Sequence, residues 1–226
     1  MFTGIIREVA EIAAVRKTRG SFRVSVQKPA RWKVKAGESV CVNGICSTVT
    51  STKNGKMFFE YMPETLRKTT AAAWHVGGRV NLERSLRVGD PLDGHLVAGH
   101  IDGVGRIAAS VRDGGARLLK IEAAAELQRY IAKKGSVAID GVSLTVAHAC
   151  PPRAARRRRV CKAHFTVALI PYTLAHTNLR ERRVGDKVNL EVDILAKYAT
   201  RQMANQTHSY IPRNVGVTER RKKRKK

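Results

Sequence analysis

Ser39-Val-Cys-Val-Asn-Gly-Ile-Cys-Ser-Thr-Val49 returns without a gap as Ser136-Val-Ala-Ile-Asp-Gly-Val-Ser-Leu-Thr-Val146, 97 positions later. Other pairs keep the same order. Met62-Pro-Glu-Thr-Leu-Arg-Lys-Thr69 matches Ile170-Pro-Tyr-Thr-Leu-Ala-His-Thr177, and Val80-Asn-Leu-Glu83 matches Val188-Asn-Leu-Glu191, both at an offset of 108. A weaker match pairs Thr3-Gly-Ile-Ile with Ala98-Gly-His-Ile at an offset of 95. Self-similarity at this period means two copies of one domain, each near a hundred residues. The offset grows by 11 between Val146 and Ile170, so the second copy carries an insertion there, at the Arg-rich run. Hairpin and loop tips tolerate insertions best, which places 150–162 at such a tip.

Within each copy the apolar signal is short and β-branched: Phe22 to Val26, Ser39 to Val42, Ser47 to Thr50, Met57 to Tyr61, Phe165 to Ile170 and Lys187 to Val192. Short strands separated by Gly, Asn and Asp turns predict an all-β chain of two small antiparallel barrels or sandwiches. Asn43-Gly44 and Asp140-Gly141 are hairpin dipeptides that deliver Cys46 and Ser143 onto strand edges. Two helices are expected. One is Ala123 to Lys134 with Gly135 as C-cap, and the other runs from about Asp193 to Asn205 with Leu195, Tyr198, Ala199 and Met203 on one side. The domains are then 1–94, 95–192, an oligomerisation helix at 193–206 and a basic tail at 207–226, read as disordered.

Apolar residues are 43% and charged residues 27%, which excludes collagen-like and wholly disordered chains. No uncharged stretch approaches the roughly 20 apolar residues of a membrane span. The N-terminus lacks a basic region followed by an apolar one, and the four cysteines lack C-x-x-C or zinc-ligand spacing. The sequence reads as a soluble cytoplasmic protein with reduced thiols and no metal. The net charge is +25, but 153–162 and 219–226 contribute +6 each, and neither run contains an aromatic residue on which a base could stack. A nucleic-acid partner is therefore not favoured.

At Met1-Phe-Thr-Gly-Ile-Ile, at the paired N-G-I-C-S-T-V and D-G-V-S-L-T-V, at G-H-L-V-A-G-H-I-D-G and at the two x-P-x-T-L-x-x-T segments, the chain closely resembles the riboflavin synthase α-chain family. The match runs from residue 1 to about 203. The resemblance implies two similar six-stranded β-barrels and a C-terminal helix that holds a homotrimer. It also implies a cofactor-free, metal-free reaction, the last step of riboflavin biosynthesis: two molecules of 6,7-dimethyl-8-ribityllumazine exchange a four-carbon unit, giving riboflavin and 5-amino-6-(D-ribitylamino)uracil.

By the same resemblance, Thr3, Gly4, Ile5, Ile6, Cys46, Ser47, Thr48, Glu60, Tyr61, Met62, Pro63, Glu64 and Thr65 line a first pocket. Gly99, His100, Ile101, Lys134, Ser143, Leu144, Thr145, Leu169, Ile170, Pro171, Tyr172, Thr173 and Leu174 line a second. The second copy carries His100 where the first has Ile5, and Asp193 where the first has Ser85. One lumazine must lose a proton from its acidic 7-methyl group, and His100 is the first candidate for the base. The other must become an electrophile at C7, with Cys46, Ser143 and Asp193 as candidate nucleophiles. Thr48 and Thr145 would orient the rings. The linker Arg84 to Gly94 spans at most about 36 Å, so each working site is expected to join the first half of one chain to the second half of another.

Taken singly, Asp193 also reads as the N-cap of the last helix, Cys46 as a small buried residue, and His95 with His100 as no metal pair. A non-catalytic lumazine- or flavin-binding antenna protein and a nucleic-acid-binding barrel are the alternative readings. The first need not keep His100, Ser143 and Asp193 together, and the second needs aromatics on a strand face. Ser47 departs from the leucine usual in the family and retained at Leu144. The basic insertion and tail also depart from it, and leave room for RNA, an anionic partner or lumazine synthase, the enzyme that supplies the substrate.

Overall fold

The computed structural model describes residues 1–17, 20–150 and 163–209, the last six only as helix. The Arg-rich run and the tail beyond Ser209 lie outside the described residues. Six strands, β1 (Glu8–Lys17), β2 (Phe22–Gln27), β3 (Ser39–Val42), β4 (Ile45–Lys53), β5 (Lys56–Tyr61) and β6 (Arg79–Arg84), close a barrel in the order β1-β2-β5-β4-β3-β6. β7 (Gly103–Asp113), β8 (Ala116–Glu122), β9 (Ser136–Ile139), β10 (Val142–Cys150), β11 (His164–Leu169) and β12 (Lys187–Val192) close a second. Read from β7, the second has the same strand order as the first, and every pairing is antiparallel.

The repetition extends to irregularities. Bulges fall at Ile12/Ala14 and Ile107/Ala109, and at Val49/Ser51 and Val146/His148. Strands of six or seven residues carry inward apolar side chains at alternate positions, giving one core per barrel, around Val24, Phe59 and Leu82 and around Ile121, Phe165 and Leu190. β10 and β11 pair from Cys150 against His164 inward, where the first barrel joins β4 to β5 by Asn54-Gly55. The insertion thus leaves the second barrel at this hairpin end.

Among the described residues, four α-helices accompany the barrels: α1 (Pro63–Lys68), α2 (Ala125–Gln128), α3 (Pro171–His176) and α4 (Ile194–Ser209). The repeated x-P-x-T-L-x-x-T segment explains α1 and α3. Pro63 and Pro171 open each helix, Leu66 and Leu174 pack on the barrel cores, and Thr69 and Thr177 accept from the amides of Ala71 and Leu179 to cap a following 3₁₀ turn. The helix expected over Ala123 to Lys134 is corrected to the single turn of α2, because the amides of Tyr130 and Ile131 bond three residues back, to Leu127 and Gln128, instead of four. The left-handed residue that ends this segment is Lys134 (φ 69°), and Gly135 does not take that conformation.

A pseudo-twofold relates the barrels. Phe2 and Val97, matched residues of the two copies, pair antiparallel with each other, and the Asn43-Gly44 and Asp140-Gly141 turns lie back to back. A Cβ on Gly44 would stand 2.8 Å from the amide nitrogen of Gly141, so glycine is required for the approach. Each Val-Asn-Leu-Glu motif stitches this seam. Val80 and Leu82 face the core, while the Asn81 side-chain amide donates to the carbonyl of Asp140 (2.9 Å); Asn189 donates likewise to the carbonyl of Asn43 (2.8 Å).

Candidate active site

Glu83 and Glu191, which end the two motifs, are buried and each holds a short strap. Glu83 accepts from the amides of Thr3 (2.7 Å) and Gly4 (3.0 Å) and from the Thr3 hydroxyl (2.7 Å). Glu191 accepts from the amides of Ala98 (2.6 Å) and Gly99 (2.9 Å). Burial pushes both carboxyls upward, Glu191 to about 7, against the opposing effect of these amide donors.

Each strap then crosses to the other barrel. The carbonyl of Gly4 accepts from the amide of Ser143 on β10, and that of Gly99 accepts from the amide of Cys46 on β4, both at 2.8 Å. Ile6 packs on the second core and Ile101 on the first. Gly4 (φ +75°) and Gly99 (φ +79°) are left-handed, and a Cβ would lie 2.6 Å from the Ser143 Cβ or 2.7 Å from the Cys46 Cβ. The sequence expectation grouped Gly99 to Ile101 with Ser143 and Gly4 to Ile6 with Cys46; the strap contacts instead set Gly99 to Ile101 against the barrel of Cys46 and Gly4 to Ile6 against the barrel of Ser143.

On β4 and β10 the side chains alternate, as a pleated strand requires. Cys46, Thr48, Ser143 and Thr145 face outward; Ser47 and Leu144 are buried in the barrels, as are Tyr61 and Leu169 on β5 and β11. The side chains of Ser47, Leu144, Tyr61 and Leu169 are therefore turned away from the outer strand edge that Cys46 and Ser143 occupy. The buried Ser47 hydroxyl donates to the carbonyl of Ile45 and shares a hydrogen bond with the buried Tyr61 hydroxyl, each 2.9 Å. The matched pair in the second barrel is Leu144 and Leu169.

Thr3 is likewise buried, its hydroxyl committed to Glu83. Met62, Pro63 and Glu64, and in the second copy Ile170, Pro171 and Tyr172, are exposed at the starts of α1 and α3, with Thr65 and Thr173 half-buried behind them. Glu60 pairs with Arg23 at 3.3 Å, and Lys134 is exposed beside the start of β9. His100 is exposed on the rim of a cavity of about 540 Å³ that also contains Asp102, Tyr130, Glu191 and Lys197.

Beside Ser143 stands a residue to which no duplicated motif points. His95 is buried, and its Nδ1 lies 2.7 Å from the Ser143 hydroxyl. Desolvation lowers its pKa, partly offset by the nearby charge of Asp193, so the imidazole is biased toward the neutral form that can accept a proton. Asp193 itself accepts from the Leu195 amide at 2.9 Å, as an N-cap does. A hydroxyl hydrogen-bonded to a neutral imidazole suits activation of a nucleophile, although the buried Nε2 on the far side of the ring makes no hydrogen bond, to Asp193 or otherwise. The matched segments of the two copies begin at Thr3 and Ala98, so the duplication does not reach His95.

Residues 3–85 and 98–193 each match the family model of the lumazine-binding domain. The chain is 38% identical to riboflavin synthase of Actinobacillus pleuropneumoniae over 200 residues, covering 88% of this chain and 87% of the relative. It is 40% identical to that of Chlamydia trachomatis over 197 residues, covering 87% and 92%. The chain belongs to the riboflavin synthase family. That family is one of enzymes, of the transferase class. Among solved structures, LumP complexed with riboflavin superposes with a TM-score of 0.74 at 23% identity, over 85% of this chain and 99% of that one. LumP complexed with 6,7-dimethyl-8-(1'-D-ribityl) lumazine gives 0.72 at 22%, over the same shares. At that identity the likeness is one of fold.

Proposed function

We propose that this chain joins two molecules of 6,7-dimethyl-8-ribityllumazine, passing a four-carbon unit from one to the other to give riboflavin and 5-amino-6-(D-ribitylamino)uracil. The observation that carries this reading is the duplicated strand edge. Cys46 with Thr48, and Ser143 with Thr145, present two similar surfaces, each completed by a strap from the opposite half. Two copies of one substrate need two similar pockets, and dismutation needs them to differ. The difference lies in the Ser143–His95 pair, which has no counterpart at Cys46.

In this reading Ser143 adds at C7 of one lumazine or directs water there, as His95 takes the proton. His100, exposed next to the Gly99 strap, is our candidate to receive the 7-methyl proton of the other. Thr48 and Thr145 orient the rings, and stacking two reactants in register supplies the proximity advantage, worth roughly 7 to 11 kcal/mol in favourable cases. The direct test is to incubate purified protein with the lumazine alone. Appearance of riboflavin absorbance supports the reading, and its absence from folded protein overturns it.

The working site is proposed to lie between chains of a homotrimer, in the cytoplasm. Leu195, Tyr198 and Met203 on α4 are 64%, 64% and 69% exposed, an apolar stripe that a partner would cover. Co-expression tests the arrangement. A first-pocket variant, Cys46→Ala with Thr48→Ala, is mixed with a second-pocket variant, Ser143→Ala with Thr145→Ala. Sites shared between chains recover activity in mixed oligomers, whereas sites within one chain stay inactive.

A further inference from the structure

Two cysteines stand opposite each other across the hairpin that carries the first strand edge. Cys41 on β3 is directly opposite Cys46 on β4, one step from the Asn43-Gly44 turn that closes the hairpin at Val42 and Ile45. The Cys46 amide donates away from β3, to the Gly99 carbonyl. The two cysteines are therefore a non-hydrogen-bonded antiparallel pair, whose Cα atoms lie about 4.5 Å apart with side chains on one face. That falls in the roughly 4.4 to 6.8 Å range in which disulfides form. Both thiols are reduced in this structure and share the small cluster of Phe2, Val97 and Ala138 at the seam. Cys41 is 1% exposed, and Cys46 is partly open to solvent. The matched residues of the second barrel, Ala138 and Ser143, cannot do the same.

We propose that Cys41 and Cys46 are a redox-modifiable dithiol, in which Cys41 resolves the sulfenic acid that a hydroperoxide forms on Cys46 into a reversible disulfide. The Cys46 thiolate attacks the peroxide, the O–O bond breaks, and the departing oxygen takes a proton to leave as water or an alcohol. The sulfur of Cys41 then attacks that of Cys46, the S–O bond breaks, and the hydroxide leaves as water with the thiol proton of Cys41. Two thiols lose two electrons in all, and the peroxide gains them. Burial pushes the Cys41 thiol well up, which makes Cys46 the site of first attack and leaves Cys41 to act by proximity. The device sits in one pocket of the pair, so an oxidant closes that pocket and leaves the Ser143 pocket chemically untouched.

The test uses the full chain with Cys150→Ser and Cys161→Ser, so that Cys41 and Cys46 are the only thiols. After a limited dose of hydrogen peroxide, intact mass is expected to fall by about 2 Da, alkylation to fail at both positions, and dithiothreitol to restore both. With Cys41→Ala added, which copies the alanine already tolerated at 138, Cys46 is instead trapped by dimedone and proceeds to a sulfinic acid that dithiothreitol does not reverse. Formation of the sulfinic acid while Cys41 is present would overturn the proposal. So would a disulfide between chains on a non-reducing gel, or thiols that remain alkylatable throughout. Loss and recovery of turnover alongside the disulfide rests on the proposed function; the mass measurement does not.

Discussion

A serine hydroxyl 2.7 Å from an imidazole nitrogen is useful only if that imidazole is unprotonated. Burial secures this for His95, holding it neutral to lower pH than an exposed histidine. If the two act as one unit, Ser143→Ala and His95→Ala each lower turnover by roughly 10²- to 10⁴-fold, and the double variant loses little more than either single one. Steady-state rates decide, and fully additive losses would separate the two residues. Glu191 gives a stability signature of opposite sense. Its carboxyl titrates near 7 in the folded chain against 4.5 ordinarily, so between those values the folded state holds a proton that the unfolded chain has released. Its contribution therefore makes stability fall as pH rises through that window. Glu191→Gln should flatten the slope and cost about 1 to 3 kcal/mol, because an amide oxygen replaces two acceptors for two strap amides. Urea unfolding from pH 4.5 to 7 measures both effects.

The straps and hairpins make testable demands on glycine. Gly55 (φ +70°) has open space where a Cβ would stand, so Gly55→Ala should cost only the left-handed penalty of about 1 to 2 kcal/mol. Gly4→Ala and Gly99→Ala add contact with backbone or Cβ atoms of Ser143 or Cys46, and should melt lower than Gly55→Ala and lose more turnover. Equal melting points for all three would mean that the straps give way freely. Elements with dense β-branched residues or an Asn-Gly or Asp-Gly turn were legible in the sequence, and β3 and β12 match their expected bounds. β1 and β7 were not, because Glu-Val-Ala-Glu-Ile-Ala-Ala-Val and Gly-Val-Gly-Arg-Ile-Ala-Ala-Ser dilute the strand signal with alanine and glycine. Ala123 to Lys134 reads as helix by propensity, yet its amides bond three residues back and the left-handed Lys134 donates across to the Val146 carbonyl, so the helix does not propagate. The two matched strand edges, Cys46 to Thr48 and Ser143 to Thr145, were legible through the duplication. The strap contacts that cross between the barrels were not, because they are long-range and leave no periodicity in either copy.

For the whole molecule, the uncovered stripe on α4 is the feature that calls for a partner. A chain ending at Val192 keeps both closed barrels, so it should remain folded but sediment as a monomer with little turnover. A chain ending at Ser209 keeps the stripe and should sediment and turn over as the full chain does. If the shorter chain still assembles, the contact lies elsewhere. If the longer one is folded yet inactive, the basic tail takes part in function.

The crossing of the straps about the pseudo-twofold also bears on ancestry. A contact in which Phe2 meets its own counterpart, and in which each glycine carbonyl serves the other copy's strand, is the contact that two identical chains would make on exchanging N-terminal arms. A lone barrel of this kind has a Glu83 to hold its arm but no second β10 edge to receive it, so it is complete only as a pair. Joining two such genes head to tail would have preserved every one of these contacts at once. It would also have freed each copy to change by itself, which is how a cysteine pair could arise at 41 and 46 while alanine and serine stand at 138 and 143.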